Sequence, residues 1–362
     1  MIRPDVSESV FYEIGSNPAE AGQSVQRRET MMKSKLGIIA CGTVLLAGLV
    51  LPAAVWAGPG VIEINQARAL AGGVTAGDAA GFPVTISTPG SYQLTGNLDL
   101  TAVTPAVTSA IDVTSDHVTV DLAGHEIAGS VTCSGTPVTC AGSGSPLSSG
   151  IEGTGSNVTV KNGTLRGFSF GLRLSSSNGH VIGVRALGNG FTGMQLNGTA
   201  GLVVNSTGSG NGDGGILILN GIVTGCTADG NAGTGVYLLG GGVVENSFAN
   251  SNQTGITLGG GGGTAKNNSV SFNSYIGIYG ASGTAIDGNT VSATGIGIGG
   301  NGIYAFPGSL VKDNVVSGTN GNGLQGHSVG YAGNVFYNNV NDLDPGGSPI
   351  SLGPNLCSSG LC

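Results

Sequence analysis

A glycine followed by an aliphatic residue recurs along this chain at nearly constant intervals: Gly150-Ile151, Gly171-Leu172, Gly193-Met194, Gly215-Ile216, Gly235-Val236, Gly255-Ile256, Gly277-Ile278, Gly302-Ile303 and Gly323-Leu324. The steps run from 20 to 25 residues, a period that marks a solenoid whose units bury their apolar sides against one another. Two residues past the aliphatic stands another apolar one, at Leu174, Leu196, Ile218, Leu238, Leu258 and Ala305. Alternation of period two means strand. Ala110-Ile111, with Val113, opens the same pattern one coil earlier, and residues 129–149 interrupt it as an insertion. A second strand in each coil is expected at Val118/Val120, Val158/Val160, Leu202/Val204 and Val243. No coil holds a helix-favouring stretch, which separates the pattern from leucine-rich repeats. The expected fold is all-β: a single-stranded parallel β-helix of ~10 coils across residues 109–340, successive strands lying about 4.8 Å apart.

Composition agrees. With 70 Gly, 9% charged and 39% hydrophobic residues among 362, the chain is too apolar for disorder and lacks the three-residue glycine period of collagen. Gly in strand-like runs implies tight turns and close packing of backbones. After the second strand an asparagine ladder is expected at Asn205, Asn246, Asn268, Asn289, Asn314 and Asn334, interrupted by Gly225. Asn tolerates a left-handed turn and its amide bonds its counterpart one coil away. Lys266, Asp287 and Lys312 fall on one outward position, an exposed ion ladder.

Residues 31–57 read as a secretory signal: Met31, Met32, Lys33 and Lys35 lead into an apolar run from Leu36 to Trp56 that ends at Val55-Trp56-Ala57. The run is long enough to span a bilayer, so an uncleaved anchor is the alternative. Residues 1–30 precede this basic start and read as a non-native extension. Residues 58–108 are assigned to an N-terminal cap and first strands, with a short helix over Glu63–Leu70, and residues 341–362 to a C-terminal cap. Such caps protect the open sheet edges. Export implies an oxidising compartment, in which Cys133 and Cys140 close one local loop and Cys357 and Cys362 another, leaving Cys226 over. A four-thiolate metal site is the competing reading, without a His at zinc spacing to support it. Residues 58–362 carry 15 acidic and 7 basic side chains, a balance that argues against nucleic acid and anionic membrane as partners.

Taking the residue after each anchoring aliphatic gives an outward column: Asp112, Glu152, Arg173, Gln195, Leu217, Tyr237, Thr257, Tyr279, Tyr304 and Gln325. Sugar rings pack on exposed aromatic faces while amides and charged groups bond their hydroxyls, so Gln195, Tyr237, Tyr279 and Tyr304 are candidate polysaccharide contacts. The plainer reading is that Tyr suits an exposed sheet surface. Asp112, Glu152 and Arg173 are candidate catalytic residues, since two carboxyls about 5 Å apart suit retaining glycoside cleavage. The plainer reading there is a Glu152–Arg173 ion pair. His117, His125 and His327 stand isolated.

The segments GDAAGFPVTISTPGSYQLTGNLDL (77–100), HVTVDLAGHEIAGS (117–130) and LGPNLCSSGLC (352–362) together resemble a group of uncharacterised exported bacterial right-handed parallel β-helix proteins, within the broad pectin-lyase-like superfamily. The resemblance implies a right-handed coil and a leaning towards polysaccharide. The signatures of the superfamily's enzymes are not matched. Gly326-His327-Ser328 replaces the Gly-His-Gly of polygalacturonases, and Asp342-Leu343-Asp344-Pro345 lacks the His and the order of the epimerases' Asp-Pro-His-Asp. The acid cluster of calcium-dependent pectate lyases is not recognisable. Gly208-Ser209-Gly210-Asn211-Gly212-Asp213 has the wrong spacing for a calcium nonapeptide, so no cofactor is expected and Ca²⁺ is indicated by no motif. The sequence therefore points to an exported β-helix contacting polysaccharide, with a lyase, hydrolase or epimerase and a non-catalytic surface scaffold as rivals.

Overall fold

The computed structural model describes residues 60–103, 108–142, 148–295, 299–344 and 347–362; the signal segment 31–57 and the residues before it lie outside the described residues. The coil beginning at Ile216 shows the plan. Three strands, Ile216–Ile218, Gly221–Thr224 and Thr227–Asp229, pair in parallel with their equivalents one coil on, Ile216 with Val236, Val223 with Val244 and Ala228 with Ala249. The solenoid period is thus converted into three parallel ladders around one core. No helix among the described residues is long and apolar enough to cross a membrane.

Each ladder contributes one inward column. Ile111, Ile151, Leu172, Met194, Ile216, Val236, Ile256, Ile278, Ile303 and Leu324 follow one another in unbroken register and all are fully buried. Each such side chain is worth roughly 1.5–3 kcal/mol of transfer free energy. The glycine before each aliphatic is a packing requirement: a Cβ on Gly215 would stand 2.7 Å from the Gly235 carbonyl oxygen, and one on Gly235 2.7 Å from that of Gly255. In the second strand the inward residues are Val203 and Val244, both fully buried. Leu202, Val204 and Val243 lie in this second strand as expected, at its half-buried outward positions.

The expected asparagine ladder is in fact two adjacent columns. Asn205, Gly225 and Asn246 occupy the left-handed turn, with φ of 48°, 63° and 51°, in line with Asn267, Gly288, Asp313 and Gly333. Asn268, Asn289, Asn314 and Asn334 are the next residue of their coils and point inward, where they are buried. Asn289 shows the wiring: its amide donates to the Ala265 carbonyl at 2.9 Å and to Asn314 Oδ1 at 3.0 Å, while its own oxygen accepts from the backbone and side-chain nitrogens of Asn268. Ser206, Cys226 and Ser247 hold the same inward position in earlier coils. A second buried ladder, at the same repeat spacing, runs through Asn189, Asn211, Asn231, Asn252 and Asn273 at the turn before the first strand.

The helix spans Gln66–Ala71, starting later than expected because Asn65 caps it by accepting from the Arg68 amide at 3.0 Å. Glu63 and Ile64 belong to a strand instead. Cys133 and Cys140 are bonded across an antiparallel hairpin, Thr132–Ser134 with Thr139–Ala141, and Cys357 and Cys362 are bonded at the other end. Lys266, Asp287 and Lys312 are aligned as expected, with Lys312 Nζ 3.0 Å from Asp287.

Asn289→Ala would leave the buried Asn268 backbone N–H without its acceptor and strip the Asn268 side-chain amide of one of its two, keeping only the Val244 carbonyl, a loss of about 1–3 kcal/mol in urea unfolding. Asn205→Gly, at a turn already left-handed, should stay within ~0.5 kcal/mol.

Candidate functional site

The outward column stands as drawn. Asp112, Glu152, Arg173, Gln195, Leu217, Tyr237, Thr257, Tyr279, Tyr304 and Gln325 are consecutive partners in the first-strand ladder. Flanking residues on each strand point into the core, so this position is the one that each coil presents to solvent at mid-strand.

At the N-terminal end, Arg173 Nε donates to both Glu152 oxygens at 2.9 and 2.8 Å, and the Ser149 hydroxyl donates to Glu152 Oε2 at 2.8 Å. The guanidinium also lies 5.1 Å from the centre of the Phe170 ring, which stacks on Phe191. Arg173 is therefore held on two sides. Asp112, one coil before Glu152, has its carboxyl pushed above the usual aspartate range, first by burial and then by the Glu152 charge. The Ser109 hydroxyl makes no well-formed hydrogen bond, yet it lies near enough to Asp112 to offset part of that rise. It acts as a dipole beside the carboxylate and not as a formed bond. The arrangement keeps a proton on Asp112 to higher pH while Glu152 stays paired with a cation.

Further along, Gln195 donates to Asn197 Oδ1 at 2.9 Å, and Gln325 accepts from Asn301 Nδ2 at 2.6 Å. Tyr279 and Tyr304 meet edge to face at 5.7 Å between ring centres and both pack on Phe306, at 5.5 and 5.1 Å. Burial, followed by the neighbouring Tyr304 and Tyr237, raises the Tyr279 phenol. Phe306 carries no signal in the one-residue-per-coil reading because it lies two residues beyond Tyr304, on the turn.

Between these ends the surface opens into a recess of ≈ 170 Å³, lined by Thr192, Asp213, Gly214, Leu217, Thr234 and Tyr237 among others. Thr192, Gly214 and Thr234 are successive positions in the column beside the Tyr strip, and Gly214 opens the gap by having no side chain. In the sequence Asp213 figures only as part of a failed calcium loop. In the structure Asn211 of that segment is buried in the asparagine ladder while Asp213 is exposed at the recess. No three His, Cys, Asp or Glu side chains converge as metal ligands among the described residues. The disulfide hairpin 132–141 packs on turns of later coils. Its Cys133 and Cys140 sulfurs lie 3.5 and 3.6 Å from the Asn189 carbonyl oxygen, and Cys140 packs near Gly212, against the turns that lead to Phe191 and Asp213.

Residues 219–351 match the family described as right handed beta helix region. No curated protein matches the sequence. Among solved structures the chain is similar to the mannuronan C-5 epimerase AlgE6 A-module of Azotobacter vinelandii, with 13% identity and a TM-score of 0.55 over 74% of this chain and 82% of that one. It is also similar to the AlgE4 A-module of the same organism, at 11% identity and a TM-score of 0.49 over 80% and 88%. The Dettilon tailspike protein gp208 gives 14% and 0.49 over 74% of this chain and 59% of that one. At such identities the likeness concerns the fold, and only the first score is high enough to bear on it. Continuous register around one apolar core, together with that family match, makes this chain a right-handed parallel β-helix protein.

Proposed function

We propose that this is an exported protein that contacts polysaccharide along the outward strip of the first-strand ladder. The observation that carries the reading is the strip itself. Ten aligned positions run from Asp112 to Gln325, three of them tyrosine, with a recess beside Tyr237. An extended glycan repeats along its length as the coils do, so rings can lie on Tyr237, Tyr279 and Tyr304 while Gln195 and the recess bond hydroxyls. The cluster with Phe306 holds Tyr279 and Tyr304 in place, which lowers the ordering cost of binding. The mannuronan C-5 epimerase module, a protein of similar fold, takes its name from a polysaccharide, which supports the same class of ligand. Two disulfides support an oxidising compartment, and with it export.

Asp112 favours a second reading, glycoside cleavage or a related reaction at the N-terminal end of the strip. Two carboxyls on adjacent coils, one raised by burial and the other hydrogen-bonded to Arg173, match the division into acid and nucleophile or base. Against it, both Glu152 oxygens already accept from Arg173, so Arg173 would have to release Glu152 for that carboxylate to attack.

In a glycan-array and calorimetric comparison, wild type should bind at least one polysaccharide and Tyr237→Ala or Tyr279→Ala should weaken it about tenfold; unchanged affinity in both variants sinks the strip. For the second reading, a panel of uronate and neutral polysaccharides assayed with and without Ca²⁺ should show turnover that Glu152→Gln reduces by more than about a hundredfold; wild-type inactivity across the panel removes it. Asp112 also generates a stability prediction. Its raised value means that the folded protein keeps the proton to higher pH than the unfolded chain does, so stability is lost as pH rises from the ordinary aspartate range through the folded-state value. Asp112→Asn should therefore melt above wild type near pH ~7, the difference vanishing below about pH 3.5.

A further inference from the structure

We infer that the recess beside Tyr237 seats one uncharged pyranose ring, so that the glycan taken by this face is a neutral polysaccharide and not a polyuronate. The inference rests on the reading of the strip as a polysaccharide contact and narrows it to a substrate class. The seat is shaped by an absence. Thr192 and Thr234 flank Gly214, and a Cβ at Gly214 would stand 3.3 Å from the Thr234 carbonyl oxygen and 3.7 Å from Thr192 Oγ1, so any larger side chain there grows into the recess. Leu217 and Tyr237 supply the apolar side. The Tyr237 ring leans over the next coil, where a Cβ on Gly259 would lie 2.5 Å from its Cε2; the missing side chain at Gly259 lets the ring lie down along the sheet.

The polar side decides the ligand. Among the described residues Asp213 is the one charged side chain lining the recess, and its carboxylate accepts no hydrogen bond from them. A carboxylate only accepts, so it calls for donors, which sugar hydroxyls provide. A uronate carboxylate placed here would instead meet a like charge, and among the described residues no cation pairs with Asp213 to offset it. The one base in the outward column, Arg173, lies two coils before Leu217 and is committed to Glu152 and the Phe170 ring. Nor do acidic groups gather to hold a bridging divalent cation, since no three potential ligands converge among the described residues. At the distances of direct contact, repulsion between two partly exposed carboxylates is on the order of tenfold in affinity.

The test measures binding of the purified full chain to neutral oligosaccharides (cello-, manno-, xylo- and N-acetylchito-oligosaccharides) and to oligomannuronate and oligogalacturonate, in EDTA. A neutral probe should bind at least about tenfold more tightly than either oligouronate. Asp213→Ala should weaken neutral binding about tenfold, and Gly214→Thr, which continues the threonine column, should weaken it at least as much, with melting temperature confirming that both variants fold. Asp213→Asn, which keeps the shape and removes the charge, should narrow the gap between neutral and uronate probes. An oligouronate that binds wild type as tightly as the best neutral probe, with loss in Tyr237→Ala, overturns this inference and leaves the polysaccharide reading standing. Neutral binding unaffected by Asp213→Ala and Gly214→Thr overturns the recess as the seat. Absence of binding to every probe overturns both readings.

Discussion

Backbone contact between successive coils governs everything else in this protein. Each strand is hydrogen-bonded to its equivalents one coil before and after, and at the head of each first strand the backbones come so close that a carbonyl oxygen occupies the place of a side chain, as the Gly235 oxygen does beside Gly215. This contact fixes the register, and register turns a residue's place in the repeat into a place in a column. A side chain then finds its own equivalents above and below it. Polar residues become tolerable inside the core for that reason: within a ladder a buried Asn such as Asn289 bonds the next Asn and a backbone carbonyl and accepts from the one before.

Cys226 fits the same logic. It occupies an inward position otherwise filled by Ser or Asn, between Ser206 and Ser247, and its thiol lies against the Val203 and Thr224 carbonyls at 3.4 and 3.3 Å. Burial pushes the thiol up to about 11, which leaves it protonated and unreactive. The two disulfides lie where the ladder logic ends, in the inserted hairpin and in the last turn, and close segments that have few equivalents to stack upon.

The outward strip was legible because it follows from period two alone: once Ile151, Leu172 and Met194 point in, Glu152, Arg173 and Gln195 must point out. The two asparagine columns merge in the sequence because they occupy adjacent positions of the coil and Asn stands in both, as in Asn267-Asn268, and a shift of one carries a side chain from a left-handed turn to the core. The recess escaped altogether. Its residues come from three coils and from turn as well as strand, and its opening is set by Gly214 having no side chain between two threonines, a feature that resembles every other glycine in a chain holding 70 of them.

From its sequence alone this protein is a stack of short strands with a known inward face, two local cysteine loops, and a line of Tyr, Gln and charged residues along one ladder. Those features depend on neighbours a few residues apart or one repeat away, and periodicity encodes both distances. Only the folded coil decided that the Arg173 guanidinium, besides pairing with Glu152, packs on Phe170, that burial raises the Asp112 carboxyl, that Phe306 clamps two tyrosines, and that among the described residues no group donates to the Asp213 carboxylate beside the recess. Each of these depends on how far a side chain reaches across coils and what meets it there, and such lateral contacts leave no trace in the spacing of residues along the chain.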